Sequence, residues 1–165
     1  MAKNNPHSVD RSYKYLYKTL KIKFHRYLFH EGEKIEFIET EIPETGQRKD
    51  LVVKEDDTII RILEFMSKAL YDAKLIDIFD YFMDTLRDPQ YEDYDVVATV
   101  ISIANPHHGK NVVTMSVNID FHPEIIFIKE KDGQKVLSTI IHKILLKEEL
   151  SDDEAIDLLL LPTWI

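Results

Sequence analysis

Apolar residues change their spacing along the chain, and each change marks a predicted element. Between Arg11 and Gly32 they recur at helical spacing, which predicts one amphipathic helix with Asp10 as its N-cap. Over residues 34–42 apolar and polar positions alternate, as they do in a strand that buries one face. A turn over residues 43–46 follows, so this strand is predicted to pair antiparallel with the next one.

Two further apolar strands are predicted over residues 51–54 and 59–66, and the tight turn between them again favours antiparallel pairing. Helical spacing returns over residues 72–87, and the side of this helix predicted to be buried carries Leu75, Ile76, Phe79, Met83 and Leu86. Residues 96–104 are apolar on both faces, which is typical of a strand covered on both sides. Because a strand–helix–strand connection favours a right-handed parallel crossover, the predicted order is helix, three-stranded meander, helix and parallel strand.

The last third of the chain contains weaker strand patterns over residues 112–119 and 125–128, and then two helices. The first of these helices is predicted over residues 136–147, and the second, over 152–161, follows a capping box formed by Ser151 and Glu154. Because the later turns of the last helix are almost entirely apolar, we expect it to dock on the body of the protein or on a partner, for example in a homodimer.

Composition limits the class of protein. The chain has 165 residues, of which 44% are hydrophobic and 31% charged, as expected for one folded α/β domain over residues 1–165. In that domain, residues 1–8 are expected to be a loose terminus and residues 134–165 to supply the C-terminal helices. The chain has no cysteine, so any metal would need carboxylate or imidazole ligands. Neither a signal peptide nor a membrane-spanning apolar run is evident, so we expect a cytoplasmic protein without a membrane partner.

Charge is distributed unevenly along the chain. The net charge is −9, yet residues 1–30 contain seven Lys and Arg and only one Asp. Such asymmetry can mark a nucleic-acid-binding element on an acidic body, and Lys14, Lys18 and Lys21 are then the expected DNA contacts. The alternative is that the basic residues are simply the solvated face of a helix.

Three carboxylates fall on the three successive strands of the predicted meander: Glu41, Asp50 and Glu64. Adjacent strands lie about 4.8 Å apart, so these side chains can converge on one point. Hard cations such as Mg²⁺ take oxygen ligands of this kind, and an ionised Glu64 among apolar neighbours requires compensation.

An ordinary ion pair is the competing interpretation of the same residues. Glu64 would then be paired with Arg61, Lys49 or Arg48, and Asp50 would cap a turn.

Four short motifs follow one another in the chain, and the match that they carry covers roughly residues 10–145 in order and spacing. They are Asp10-Arg11-Ser12-Tyr13-Lys14, Thr40-Glu41-Ile42-Pro43, Arg48-Lys49-Asp50-Leu51-Val52 and Leu63-Glu64-Phe65-Met66. Together with the α-β-β-β-α-β order, they resemble the PD-(D/E)XK nuclease superfamily. The closer resemblance is to its branch of recombination-promoting nucleases and putative transposases.

This resemblance implies a restriction-endonuclease-like core, with a mixed central sheet flanked by helices, and a DNA endonuclease that uses Mg²⁺ or Mn²⁺. It implies that Glu41, Asp50 and Glu64 bind the metal and that Asp50 and Glu64 are catalytic.

The sequence departs from the family pattern at Met66, where the superfamily has Lys and this branch commonly has Gln. A thioether neither donates a hydrogen bond nor carries charge, so Lys68 or Lys54 would have to replace the missing group. The alternative is a catalytically inactive relative that keeps the fold as a binding or assembly module. A third interpretation is the core of a longer, transposase-like protein.

Overall fold

A mixed five-stranded sheet with helices on both faces forms the centre of the molecule. The computed structural model describes residues 6–38, 51–102, 109–128 and 131–163, with side chains from residue 11 to residue 162. The helices are α1 (Pro6–Leu20), α2 (Ile22–Phe29), α3 (Asp72–Leu86), α4 (Gly133–Leu145) and α5 (Asp152–Leu160). The strands are β1 (Ile35–Ile38), β2 (Leu51–Glu55), β3 (Ile59–Met66), β4 (Asp95–Ser102), β5 (Val113–Ser116), β6 (Ile119–Phe121) and β7 (Glu124–Phe127).

The strand order in the sheet is β1-β2-β3-β4-β7. β1 pairs antiparallel with β2, and β2 with β3, whereas β3/β4 and β4/β7 are parallel. α3 connects the parallel strands β3 and β4. The predicted order of helix, meander, helix and parallel strand is therefore confirmed. The predicted turn over 43–46 and residues 39–42 of the first predicted strand lie outside the described residues.

Alternation along β3 assigns its side chains to two different layers. Leu63 and Phe65 are buried in the cluster that α1, α2 and α5 cover. Ile62 instead packs with Phe82 of α3, and Met66 packs against the cluster that contains Leu75 and Ile78 of the same helix. Because side chains alternate in a strand, Glu64 faces the α3 layer.

The first predicted helix is two helices in the structure. Lys21 interrupts it with φ 49° and ψ −121°, and α2 starts at the next residue. Asp10 lies inside α1, not at its N-cap, because the helix already begins at Pro6. The break redirects the chain so that Phe24 and His25, the third and fourth residues of α2, are both fully buried.

The buried face of α3 differs from the predicted one at two positions. Ile76 and Leu86, predicted to be buried, are 38% and 49% exposed, whereas Ile78 is fully buried. α3 packs against both the central sheet and the separate β5–β6 hairpin. The pattern over residues 112–119 predicts one strand, but a turn at Val117 and Asn118 divides it into β5 and β6.

The C-terminal helices have the predicted order and the predicted cap. Ser151 and Glu154 form a complete capping box at the start of α5. Ile156 and Leu160 of α5 are buried in the core beneath α1 and α2, so this helix docks on the body. Among the described residues, no helix combines the length and the apolar character needed to cross a membrane.

Candidate functional site

Glu64 is a buried carboxylate two residues before the end of β3. Its side chain is 1% exposed, and the neighbouring residue across the parallel ladder is Val100, which is fully buried. Lys74 Nζ donates a hydrogen bond of 2.8 Å to Glu64 Oε2. An ionised carboxylate in this apolar layer is costly unless it is compensated, and the ammonium group of Lys74 provides compensation.

Lys74 reaches Glu64 because α3 begins shortly after β3 ends. The helix starts at Asp72, which places Lys74 in its first turn, above the end of the strand. The side chain of Lys74 remains 21% exposed, so the pair has a route to solvent on the lysine side. The short link between strand and helix points to the first turn of α3 as the place for a partner, but it does not select Lys74.

Arg61 is not placed to pair with Glu64, contrary to the competing interpretation of the sequence. It is an odd-numbered position of β3 and extends into the opposite layer, where its guanidinium donates to Glu55 and Thr99. The other two proposed partners, Arg48 and Lys49, lie outside the described residues.

Two of the three predicted metal ligands, Glu41 and Asp50, also lie outside the described residues. In the sequence Asp50 directly precedes Leu51, and Leu51 pairs with Leu63, the neighbour of Glu64. Within the described part of the chain, no three His, Asp or Glu side chains come together as a metal site. Glu64 is a suitable oxygen donor for Mg²⁺, but the complete ligand set stays a prediction.

The two lysines predicted to replace the missing group occupy different places. Lys68 is exposed in the bend that follows β3. Lys54 is opposite Ile60, about 13 Å along β3 from Glu64. Hydrogen bonds to Tyr94 and Asp57 raise the pKa of Lys54 and hold it at the hairpin end of the strands. Of these lysines and Lys74, it is Lys74 that the structure shows bonded to Glu64.

The basic residues Lys14 and Lys18 lie on α1, and Lys21 lies at its junction with α2. Lys18 and Lys21 are exposed and Lys14 is half-buried. Because α1 covers the Leu63 and Phe65 face, the sheet lies between these lysines and Glu64.

A second buried polar cluster occupies the α1/α2 face of the sheet, and sequence patterns did not indicate it. Arg61 Nε donates to Glu55 at 2.8 Å, and its Nη1 donates to Thr99 at 2.9 Å and also to Glu124. The Phe29 ring lies 4.2 Å from the Arg61 guanidinium carbon. The signal that could have indicated this cluster is a Glu at the end of β2 and an Arg near the start of β3, which the hairpin brings to the same end of the sheet.

His25 extends this cluster to the helices. Its Nδ1 shares a 2.5 Å hydrogen bond with the Tyr17 hydroxyl, and its Nε2 lies 3.4 Å from Glu55 Oε1. That second distance is an electrostatic contact without hydrogen-bond geometry, and Nε2 has no hydrogen-bond partner among the described residues. Burial lowers the pKa of His25, and attraction to Glu55 opposes this effect only in part. The arrangement attaches α1 and α2 to the sheet.

Comparisons with protein-family models, with curated proteins and with solved structures each found no match. The functional argument therefore rests on the geometry around Glu64 and on the sequence motifs.

Proposed function

We propose that this chain has a restriction-endonuclease-like core of the PD-(D/E)XK type and hydrolyses DNA phosphodiesters weakly with Mg²⁺ or Mn²⁺. The observation that carries the proposal is the buried, lysine-paired Glu64 near the end of β3. Glu64 lies in a mixed five-stranded sheet that is flanked by helices, which supports the proposal at the level of fold class.

In this proposal Glu64 binds the cation together with Asp50 and Glu41. A bound divalent cation would supply charge stabilisation for the phosphodiester and lower the pKa of an attacking water. Lys74 takes the place of Lys68 and Lys54 as the lysine of the site, because its ammonium is already 2.8 Å from a Glu64 oxygen. From there it can hold a phosphate oxygen and stabilise developing negative charge.

DNA contacts from the basic helix remain part of the proposal. Lys14, Lys18 and Lys21 would hold phosphate groups of DNA. Because the sheet separates α1 from Glu64, these contacts would position a part of the substrate that is remote from the cleaved bond.

Supercoiled plasmid nicking with Mg²⁺ or Mn²⁺ tests the proposal. We expect the wild-type chain to nick slowly, and Glu64→Gln and Asp50→Ala to reduce the rate by about 100-fold. Asp80→Asn is the matched control, because Asp80 is an exposed carboxylate on the outer side of α3. The proposal fails if Glu64→Gln and Asp50→Ala retain the wild-type rate, which would indicate a contaminating nuclease.

The second candidate is a catalytically inactive binding or assembly module with the same fold. The observations that favour it are the Lys74–Glu64 ion pair, which already neutralises the carboxylate, and the uncharged Met66. Apolar side chains that are exposed on α4 and α5 would then form the assembly surface, with a homodimer interface through α5. They are Ile141, Ile144, Leu145, Leu158 and Leu159. No nicking in any variant, together with a melting temperature that Mn²⁺ does not change, would establish this alternative.

A further inference from the structure

The outer face of α1 carries a continuous stripe of cations around one tyrosine. Arg11, Lys14, Tyr15 and Lys18 are spaced i, i+3, i+4 and i+7, so they share one face of the helix. Tyr13 and Tyr17, on the other side of α1, are buried against the sheet layer. The stripe therefore faces away from the body of the protein and spans about 10 Å along the helix.

Tyr15 is the most exposed aromatic side chain among the described residues, at 69%. Within the described part of the chain it has no ring contact or hydrogen bond, and Arg11 and Lys18 have no ion pair there. Within the described residues, no contact explains the position of the exposed Tyr15 phenol. Its chemistry fits a ligand that offers both negative charge and a flat aromatic surface.

We propose that the outer face of α1 binds an unpaired nucleic-acid strand, with a base stacked on Tyr15 and phosphates held by Arg11, Lys14 and Lys18. Charge complementarity supports a polyanion, since residues 11–30 contain six Lys and Arg and no Asp or Glu. Tyr15 supports an unpaired strand, because the bases of a duplex are stacked on one another, whereas an unpaired base can offer its face to an aromatic side chain.

This binding does not depend on the proposed nuclease site. Glu64 faces the α3 layer, and the sheet lies between it and α1. A chain without any hydrolytic activity would still present the stripe. A failure of the proposed hydrolysis at Glu64 therefore leaves the proposed strand binding on α1 standing.

Fluorescence anisotropy with a labelled oligothymidine of about 20 nucleotides, at about 50 mM salt and without divalent cations, tests the inference. We expect the wild-type chain to bind this strand at least about tenfold more tightly than a duplex of equal length. Tyr15→Ala should weaken strand binding by about tenfold, whereas Tyr15→Phe should retain it. Tyr71→Ala is the matched control, because Tyr71 is 56% exposed and lies at the start of α3.

Salt dependence separates the phosphate contacts from the stacking contact. Three cations predict a slope of log K against log salt of about −2 for a single strand, and Lys18→Gln should make it shallower by about 0.7. Tyr15→Ala should leave this slope unchanged, and Glu64→Gln should leave both affinity and slope unchanged.

Three outcomes would overturn the inference. One is equal affinity of Tyr15→Ala and Tyr71→Ala for the single strand. Another is equal or tighter binding of the duplex. The third is a salt-sensitive dimer in light scattering that Lys18→Gln abolishes while the wild type binds no oligonucleotide, which would identify the acidic surface of a second copy as the partner.

Discussion

At the scale of single residues, the Lys74–Glu64 pair should matter to stability whether or not the site is catalytic. Lys74→Met would leave the buried Glu64 carboxylate without its ammonium partner, and we expect a loss of about 2 kcal/mol in the free energy of unfolding. Lys68→Met, at an exposed lysine in the bend after the same strand, should change it by less than about 0.5 kcal/mol. Urea unfolding at neutral pH measures both values.

A double mutant distinguishes an ion pair from general damage to the layer. In Glu64→Leu/Lys74→Met both charges are gone, so the loss should be smaller than that of Lys74→Met alone. A loss in the double variant equal to the sum of the losses in Lys74→Met and Glu64→Leu would contradict the pairing.

The sequence alone could have rejected Arg61 as the partner, because residues 61 and 64 lie on opposite faces of a strand. It could not select Lys74, since that contact depends on how closely α3 returns over the end of β3.

At the scale of elements, the break between α1 and α2 stores backbone strain at Lys21. Its φ of 49° with ψ of −121° is a conformation that L side chains rarely adopt and that glycine tolerates. We expect Lys21→Gly to raise the free energy of unfolding by about 0.5 kcal/mol, after the entropic cost of glycine in the unfolded chain.

The control for this prediction is Lys18→Gly inside α1, which should lower stability by about 1 kcal/mol, as measured by thermal or urea unfolding. Equal destabilisation by both glycines would show that the break is not strained.

Helical spacing could not reveal the break, because the apolar stripe continues in phase from Tyr17 to Phe24 and Leu28. The bounds of β3 were predictable, since charged turn residues precede it and helical spacing follows soon after it.

At the scale of the whole molecule, His25 joins the helical layer to the sheet. Gly32, with φ +93°, lies so close that a Cβ there would be 2.8 Å from the His25 ring, so both its conformation and its size are required. Arg26 Nε donates to the Gly32 carbonyl at 2.8 Å and holds this approach in place. The sheet order was predictable from element order and loop length. The contact of His25 with Glu55, which joins the helices to the sheet, was not predictable, because no common periodicity links the two residues.

Global stability should therefore depend on the protonation of His25. Burial lowers its pKa in the folded state below the value of about 6.5 in the unfolded chain, despite attraction to Glu55. The folded chain then binds fewer protons at His25 than the unfolded chain does. Its contribution to stability is complete above about pH 6.5 and is lost as the pH falls below that value.

Urea unfolding at about pH 7 and about pH 5.5 tests this link, with an expected loss of about 1 kcal/mol attributable to His25. His25→Asn should be less stable at pH 7 but should lose correspondingly less on acidification. His142→Asn, at an exposed histidine of α4, should follow the wild-type pH dependence. If His25→Asn and the wild type lose the same stability between the two pH values, His25 does not control the attachment of α1 and α2, and Arg61 with its carboxylates must hold the layers together without it.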